Sequence, residues 1–548
     1  MTALAHMGPH AVSAKRPGAV ALVIDQIGYA VREQWRSRLV LIFTFILPLV
    51  WLVMIGLLAG NEAVDEVTGV RVMQFVTPTA AVMGVLFAAY PPVANSLGLA
   101  REQKITKRLR GTPLPMWAYL LGRVGAAVIL ATAAVVVMLG IGVVAYEVQI
   151  QWQTAPATVV TLVVGVGCFA ALGLAVGAVA PSASVAQSFS IASAVVVTFL
   201  SGLFTIGTVL PAWMETIGSI FPVRHLLTTL QDQFNPFLSG SGWDVQALAV
   251  MALWGAAGVV VAAWALRREP RSASAPAAVR RAGAARQGLS ASQPGRPGGL
   301  AVLLDQTQWA NTGAWRDAGW VFFAVVMPVG LYALMSSMYG NVGFRPNEMP
   351  MVFFFACGMA AYGVGVTAFV NMPEAVATAR DRGVLKRLRG TPLATWQYLA
   401  GRTAAVLWIA LLTAALVFAV AIIVFGAKVS IEGVPLGIAV FVFGTLTIEA
   451  CGYALAAVAP SGRAMGVISL SILLPLSFFS DIFLIGDAPE WMGTVGSIFP
   501  LRHFVHALAA SLNPEGVSVP WENLAVMAVW LVGASLVALR WFRWEPKR

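Results

Sequence analysis

Twelve predominantly apolar runs divide this chain, each about the 20 residues that a helix needs to cross a hydrocarbon layer. They fall near 39–59, 72–98, 118–145, 157–180, 186–208 and 245–266, and again near 319–339, 350–372, 403–426, 434–459, 465–486 and 524–542. Such segments must pair their backbone amides internally, which points to an all-α polytopic membrane protein. Composition agrees: 59% of residues are hydrophobic and 11% charged, too few charges to cover a soluble surface. The net charge of +11 does not indicate nucleic acid, because the cations cluster in alternate loops. Lys15, Arg16, Arg32, Arg36 and Arg38 precede the first run, and the tail Arg540–Arg548 follows the last. The opposite loops carry Glu62, Asp65, Glu66, Glu147, Glu215, Asp232, Asp487 and Glu490. Both termini are therefore expected in the cytoplasm, with no cleaved signal peptide. Cys168, Cys357 and Cys451 lie within apolar runs and read as small buried hydrophobes, so no disulfide framework is expected.

The chain is duplicated. Lys-Arg-Leu-Arg-Gly-Thr-Pro-Leu occurs at Lys107–Leu114 and again at Lys386–Leu393, 279 positions later. Asp25-Gln26 returns as Asp305-Gln306, Trp35-Arg36 as Trp315-Arg316, and Pro48 as Pro328. Trp117, Tyr119, Gly122 and Arg123 return as Trp396, Tyr398, Gly401 and Arg402, and Gly218–Pro222 as Gly496–Pro500. Asn235-Pro236 returns as Asn513-Pro514. Two six-span halves, 1–266 and 301–548, are separated by an Arg/Ala/Ser/Gly/Pro-rich basic linker at 267–300 that cannot bury a core. An even number of spans per half makes the repeats parallel.

Within the octapeptide, Lys104, Lys107 and Arg108 are expected on one face of a short helix, with Ile105 and Leu109 on another. Gly111 suits a left-handed helix end, Thr112 an N-cap and Pro113 the first turn of the next span. The second copy repeats this with Val384, Leu388, Gly390, Thr391 and Pro392. Just upstream, Lys104 becomes Gly383, which suggests similar rather than equivalent sites. A basic patch on anionic lipid requires charge but no Gly-Thr-Pro order, so the preserved order favours a shaped protein contact.

On these motifs and the six-span plan, the chain resembles the membrane subunits of type-2 ATP-binding-cassette exporters, particularly bacterial antibiotic and multidrug efflux permeases. The resemblance covers both halves. It implies that Lys107, Arg108, Leu109, Arg110, Gly111, Thr112 and Pro113, and Lys386, Arg387, Leu388, Arg389, Gly390, Thr391 and Pro392, form coupling helices docking on ATPase subunits. Two copies of a separate ATPase would bind ATP and Mg, and this chain would hold neither cofactor nor catalytic residue. None of the six lysines follows a glycine, so no phosphate-binding loop of the Gly-Lys-Ser/Thr kind is present. Amphipathic stretches at 20–38 and 300–318 look like the family's interfacial helices. The segments Pro211–Asp244 and Pro489–Glu522 look like its short re-entrant helices. His225 and His503 in those segments lack a ligand cluster at metal spacing and read as polar groups at a helix end.

Cargo contacts are expected from Phe75, Phe199, Phe204, Phe354, Phe478 and Phe483, which pair between the second and fifth spans of the halves. Glu449, within a span where the first half has Ala170, either recognises cargo or a proton, or is a carboxyl group satisfied by neighbouring hydroxyls. The expectation is an exporter of hydrophobic or amphipathic small molecules through the bilayer, with no nucleic-acid partner. A lipid or polymer exporter of the same superfamily and an ion-gradient-driven twelve-span transporter are the alternatives; the latter normally carries several intramembrane charges, whereas this sequence shows chiefly Glu449.

Overall fold

The computed structural model describes residues 18–58, 61–65, 70–109, 111–204, 210–238, 240–268, 299–340, 349–391, 393–483 and 490–541. Arg110, Pro392 and most of the linker lie outside them. Among the described residues, each half contributes ten helices in the same order. The first has α1 (Ala19–Trp35), α2 (38–58), α3 (Met73–Glu102), α4 (Ile105–Leu109), α5 (Met116–Tyr146), α6 (Ala155–Val179), α7 (Ala183–Leu200), α8 (Ala212–Gly218), α9 (Pro222–Phe234) and α10 (Val245–Arg268). The second has α11 (Gly299–Arg316), α12 (318–339), α13 (Met351–Asp381), α14 (Val384–Arg389), α15 (Thr395–Ile423), α16 (Val434–Val458), α17 (Gly462–Phe479), α18 (Glu490–Gly496), α19 (Pro500–Leu512) and α20 (Trp521–Trp541). Among the described residues, ten helices are long and apolar enough to cross a membrane, and two shorter ones, Ile42–Leu57 and Ala464–Phe479, match the remaining two of the twelve expected runs. The protein is an all-α polytopic membrane protein; a two-strand hairpin, Ala63–Asp65 against Val70–Arg71, is its β-structure among the described residues.

The second span is the hub of each half. α3 and α13 are almost wholly buried, packing against the third, fourth and fifth spans, whereas the sixth span lies behind the fourth and keeps most of its surface outward. Between halves, the fifth span of one meets the first span of the other. α7 packs on α12, and Met54 of α2 packs with Met492, Phe478 and Phe479.

Prolines inside spans leave carbonyls without an amide partner four residues on. Pro91 frees the Phe87 carbonyl, which accepts from Thr44 Oγ1 of the first span at 3.4 Å. Pro328 frees the Ala324 carbonyl, which accepts from Thr413 Oγ1 of the third span at 3.1 Å. The chain before Pro48 and Pro328 widens into a π turn, Ile42–Ile46 and Phe322–Val326, a common way to absorb a proline or an inserted residue.

Residues repeated between halves but remote in sequence turn out to be neighbours. Gly122 of the third span abuts the Gln26 backbone, where a Cβ would lie 2.9 Å from its carbonyl carbon. Gly401 abuts Gln306 in the same way, with 3.1 Å to that carbon. Absence of a side chain thus lets α1 and α11 lie against the third spans. Val20, Ile24, Tyr29 and Trp35, and their counterparts Leu300, Leu304, Trp309 and Trp315, remain exposed along the other side, as an interfacial helix requires. In the first half, Arg123 locks the contact by pairing with Glu33 at 2.8 Å and with the Tyr119 hydroxyl at 2.9 Å. In the second, Gly313 stands at the Glu33 position, and Arg402 rests over the rings of Tyr398 and Trp309 instead.

Both second spans end through one left-handed residue, Lys104 with φ +58° and Gly383 with φ +69°. The sequence difference there is a difference in strain at a shared geometry. Lys104→Gly is expected to raise the apparent thermal midpoint of the purified chain, by about 1 kcal/mol in stability, and Gly383→Lys to lower it by a similar amount. Gly122→Ala and Gly401→Ala should each cost about 1–3 kcal/mol by pushing the interfacial helix off its span, read from the same melting experiment.

Candidate coupling site

The two octapeptide loops have one architecture. After the left-handed residue, α4 and α14 run for a turn or more and close with Gly111 N–H to the Arg108 carbonyl at 3.0 Å and Gly390 N–H to the Arg387 carbonyl at 3.1 Å. Thr112 Oγ1 then donates to the Leu109 carbonyl at 2.7 Å and accepts from Leu114 N–H at 3.4 Å. Thr391 does the same with Leu388 at 2.6 Å and Leu393 at 3.4 Å. Two expectations are corrected here. Gly111 and Gly390 are not the left-handed positions, and Gly390 has φ −79°; the reversal is made before the short helix, at Lys104 and Gly383. Lys104 is accordingly outside α4. Thr112 and Pro113 also do not start the next span, which begins at Met116 behind Pro115, and at Thr395 behind Ala394.

Apolar side chains tie the loop down while its cations face outward. Ile105, Leu109 and Leu114 pack on the first core, and Leu388 and Leu393 pack around buried Leu385 with Val376, Tyr398 and Tyr453. Lys107, Arg108, Lys386, Arg387 and Arg389 are exposed, with Arg108 Nη2 donating to the Gln103 carbonyl at 2.8 Å. The cations thus stand at the surface where an acidic partner could meet them, and the loop supporting them is held in shape.

A connection missed in the sequence lies immediately upstream. Arg101 Nη1 donates to the Gly177 and Ala180 carbonyls, both at 2.9 Å, capping the carboxyl end of the fourth span. Its neighbour Glu102 accepts from Ala183 N–H at 3.0 Å, capping the amino end of the fifth. Arg380 and Asp381 repeat the arrangement: Arg380 bonds to Ala456 and Ala459 at 3.0 Å each, and Asp381 accepts from Gly462 N–H at 2.6 Å. An adjacent base and acid thus clasp the tight corner between fourth and fifth spans to the end of the second. The repeated Arg-acid pair just before the octapeptide was the available signal.

The proposed cargo residues separate into groups. Phe199 is buried in the core of the second half, and Phe478 packs against the core of the first, so each crosses the seam. Phe204 stacks on Phe199 at 4.2 Å between centroids, and its carbonyl accepts from the Tyr339 hydroxyl at 2.9 Å across the seam. Phe483 joins Phe478 at 5.5 Å and Tyr362 at 5.3 Å. Phe354 lies elsewhere, in the second-half core against His506, and Phe75 is partly buried near the start of α3. Glu449 is buried between third and fourth spans, where Oε1 accepts from Thr403 Oγ1 at 3.1 Å. His225 and His503 sit in the first turn of α9 and α19, bonding the Ser219 and Ser497 carbonyls at 2.8 and 2.7 Å.

Comparison with known proteins agrees with this plan. The family model described as ABC-2 type transporter matches twice, over residues 27–234 and 306–513. The "Inner membrane transport permease YadH" of Escherichia coli (strain K12) is 25% identical over 203 residues, covering 36% of this chain and 77% of that protein. The protein of the same name from Shigella flexneri matches to the same extent. Permeases of this kind carry the membrane path and work with a separate ATP-binding-cassette subunit. With both matches together spanning well over half its length, the chain belongs to the ABC-2 type transporter family, as two permease domains in tandem.

Proposed function

We propose that this chain is the membrane subunit of an ATP-driven exporter carrying hydrophobic or amphipathic small molecules, drugs or antibiotics among them, out across the cytoplasmic membrane. Both termini and both octapeptide loops face the cytoplasm, where two copies of a separate ATPase subunit dock, one per loop, and bind ATP and Mg. The observation that carries this reading is the pair of loops built alike, with outward cations, each joined to an Arg-acid clasp.

The clasp supplies the mechanical path. A displaced loop moves the end of the second span, and the second span carries the corner that starts the fifth. The fifth spans bring Phe199 and Phe478 to the seam, so movement below reaches the aromatic lining between the halves. Large apolar rings at such a seam accept cargo by area rather than by fixed polar contacts. Nucleotide drives the cycle only in so far as it binds the two arrangements of the docked ATPases with different affinity. Glu449 would contribute a polar contact beside this path.

Charge reversal at the loops tests the docking. With the ATPase co-expressed, Arg108→Glu or Arg387→Glu should lower ATP-dependent efflux from vesicles by about tenfold or more and weaken co-purification of the ATPase. Unchanged efflux in the double variant would overturn the coupling role. Breaking the clasp gives a different signature. Glu102→Gln and Asp381→Asn should leave the ATPase bound and hydrolysing while transport per ATP falls severalfold.

A further inference from the structure

The end of the bundle away from the octapeptides holds a cavity of about 350 Å³ in the second half, within the range of small-molecule sites. Arg502, His503, His506 and Asn523 supply its polar wall, and Met349 and Phe354 its apolar one. Asp481 stands behind the polar wall with 6% of its side chain exposed, and its Oδ2 accepts from Arg502 Nε at 3.2 Å and His506 Nε2 at 2.8 Å. Arg502 Nη1 donates further to the Gly493 carbonyl. Those bonds fix both side chains and leave the remaining guanidinium hydrogens of Arg502 for the cavity. Among the described residues, no carboxylate lines it.

Four substitutions between halves make this cavity what it is. At the Asp481 position the first half has Gly202, and both residues are left-handed, with φ +61° and +82°. A carboxylate has therefore been placed where glycine is the unstrained choice, and its ion pair with Arg502 and hydrogen bond from His506 hold it there. Thr228 stands at the His506 position and Ala247 at the Asn523 position. Glu215 stands at the Gly493 position, and there its carboxylate takes Arg224 Nη2 at 3.1 Å. In the second half that carboxylate is absent, and the matching arginine lies against the Gly493 backbone and lines the cavity with its supporting acid behind it.

We propose that this cavity is a binding site, present in the second half alone, for a small amphiphile whose carboxylate or similar anionic head meets Arg502 while its apolar body lies on Phe354 and Met349. Charge-assisted bonds from a preoriented guanidinium suit such a head, and the same positive charge opposes an ammonium head. The site gives the transporter a chemically selective point at the far end of the bundle, one that the seam of phenylalanines does not supply. Its role in export rests on the reading above, but its occupancy is independent of it.

Binding of 3-(4-fluorophenyl)propionate and 3-(4-fluorophenyl)propylamine to the full chain in nanodiscs, followed by fluorine NMR without any ATPase, tests the proposal. The acid should bind saturably and about tenfold or more tighter than the amine. Arg502→Lys should weaken the acid by a similar factor, and Arg224→Lys should leave it unchanged. Ala510→Phe, which fills the cavity without touching the charged network, should abolish binding and decides the matter if Arg502→Lys does not fold. Equal binding of acid and amine, a non-saturating signal from lipid partition, or full binding by Ala510→Phe overturns the proposal. A failure of ATP-dependent efflux would leave this measurement untouched.

Discussion

Within hydrocarbon no backbone carbonyl can turn to water, and this fold is arranged around that demand. The spans nevertheless contain prolines, and two of the resulting gaps are closed from neighbouring helices. Thr44 reaches the carbonyl freed by Pro91, and Thr413 the one freed by Pro328. These bonds fix which spans are adjacent, because a hydroxyl has to arrive at one particular turn. The same demand at helix ends is met by charged groups. Arg101 and Arg380 close the fourth spans, and Glu102 and Asp381 open the fifth. A rule of polar satisfaction thus produces both the packing order and the mechanical link to the basic loops.

Much of the architecture was legible because the same message is written twice. Recurrence of Gly122 and Gln26 as Gly401 and Gln306 marked important positions, and the structure gives the cause, a close approach of interfacial helix to third span. Local rules failed at the octapeptide. Gly-Thr-Pro invites a left-handed helix end, yet the reversal occurs at Lys104 and Gly383, since the long second span must be stopped before the short helix begins. Which phenylalanines share a surface was also beyond pattern reading. Phe199 and Phe478 meet the opposite half, a consequence of how the fifth span of one half packs against the first span of the other; Phe354 does not, since it sits near the start of the hub helix.

Differences between the halves were harder still to interpret, because a lone substitution has no echo. The change from Glu33 to Gly313 removes the acid that locks Arg123, and Arg402 settles on aromatic rings instead. The interfacial helix of the second half is held by packing without the ion pair of the first. Similarly, Asp481 takes its role from Arg502 and His506, which are remote in sequence and converge on one of its oxygens.

Fusion of the halves has a consequence for how such a molecule can change. In a homodimer each substitution arrives in both subunits, and a group near the axis confronts its own copy, so an acid there meets an acid. Here a residue and its counterpart are separate letters of one chain. Gly202 can remain glycine while Asp481 acquires a carboxylate and its partners. The pseudo-two-fold frame keeps the moving parts matched, and the covalent join releases individual positions from self-complementarity.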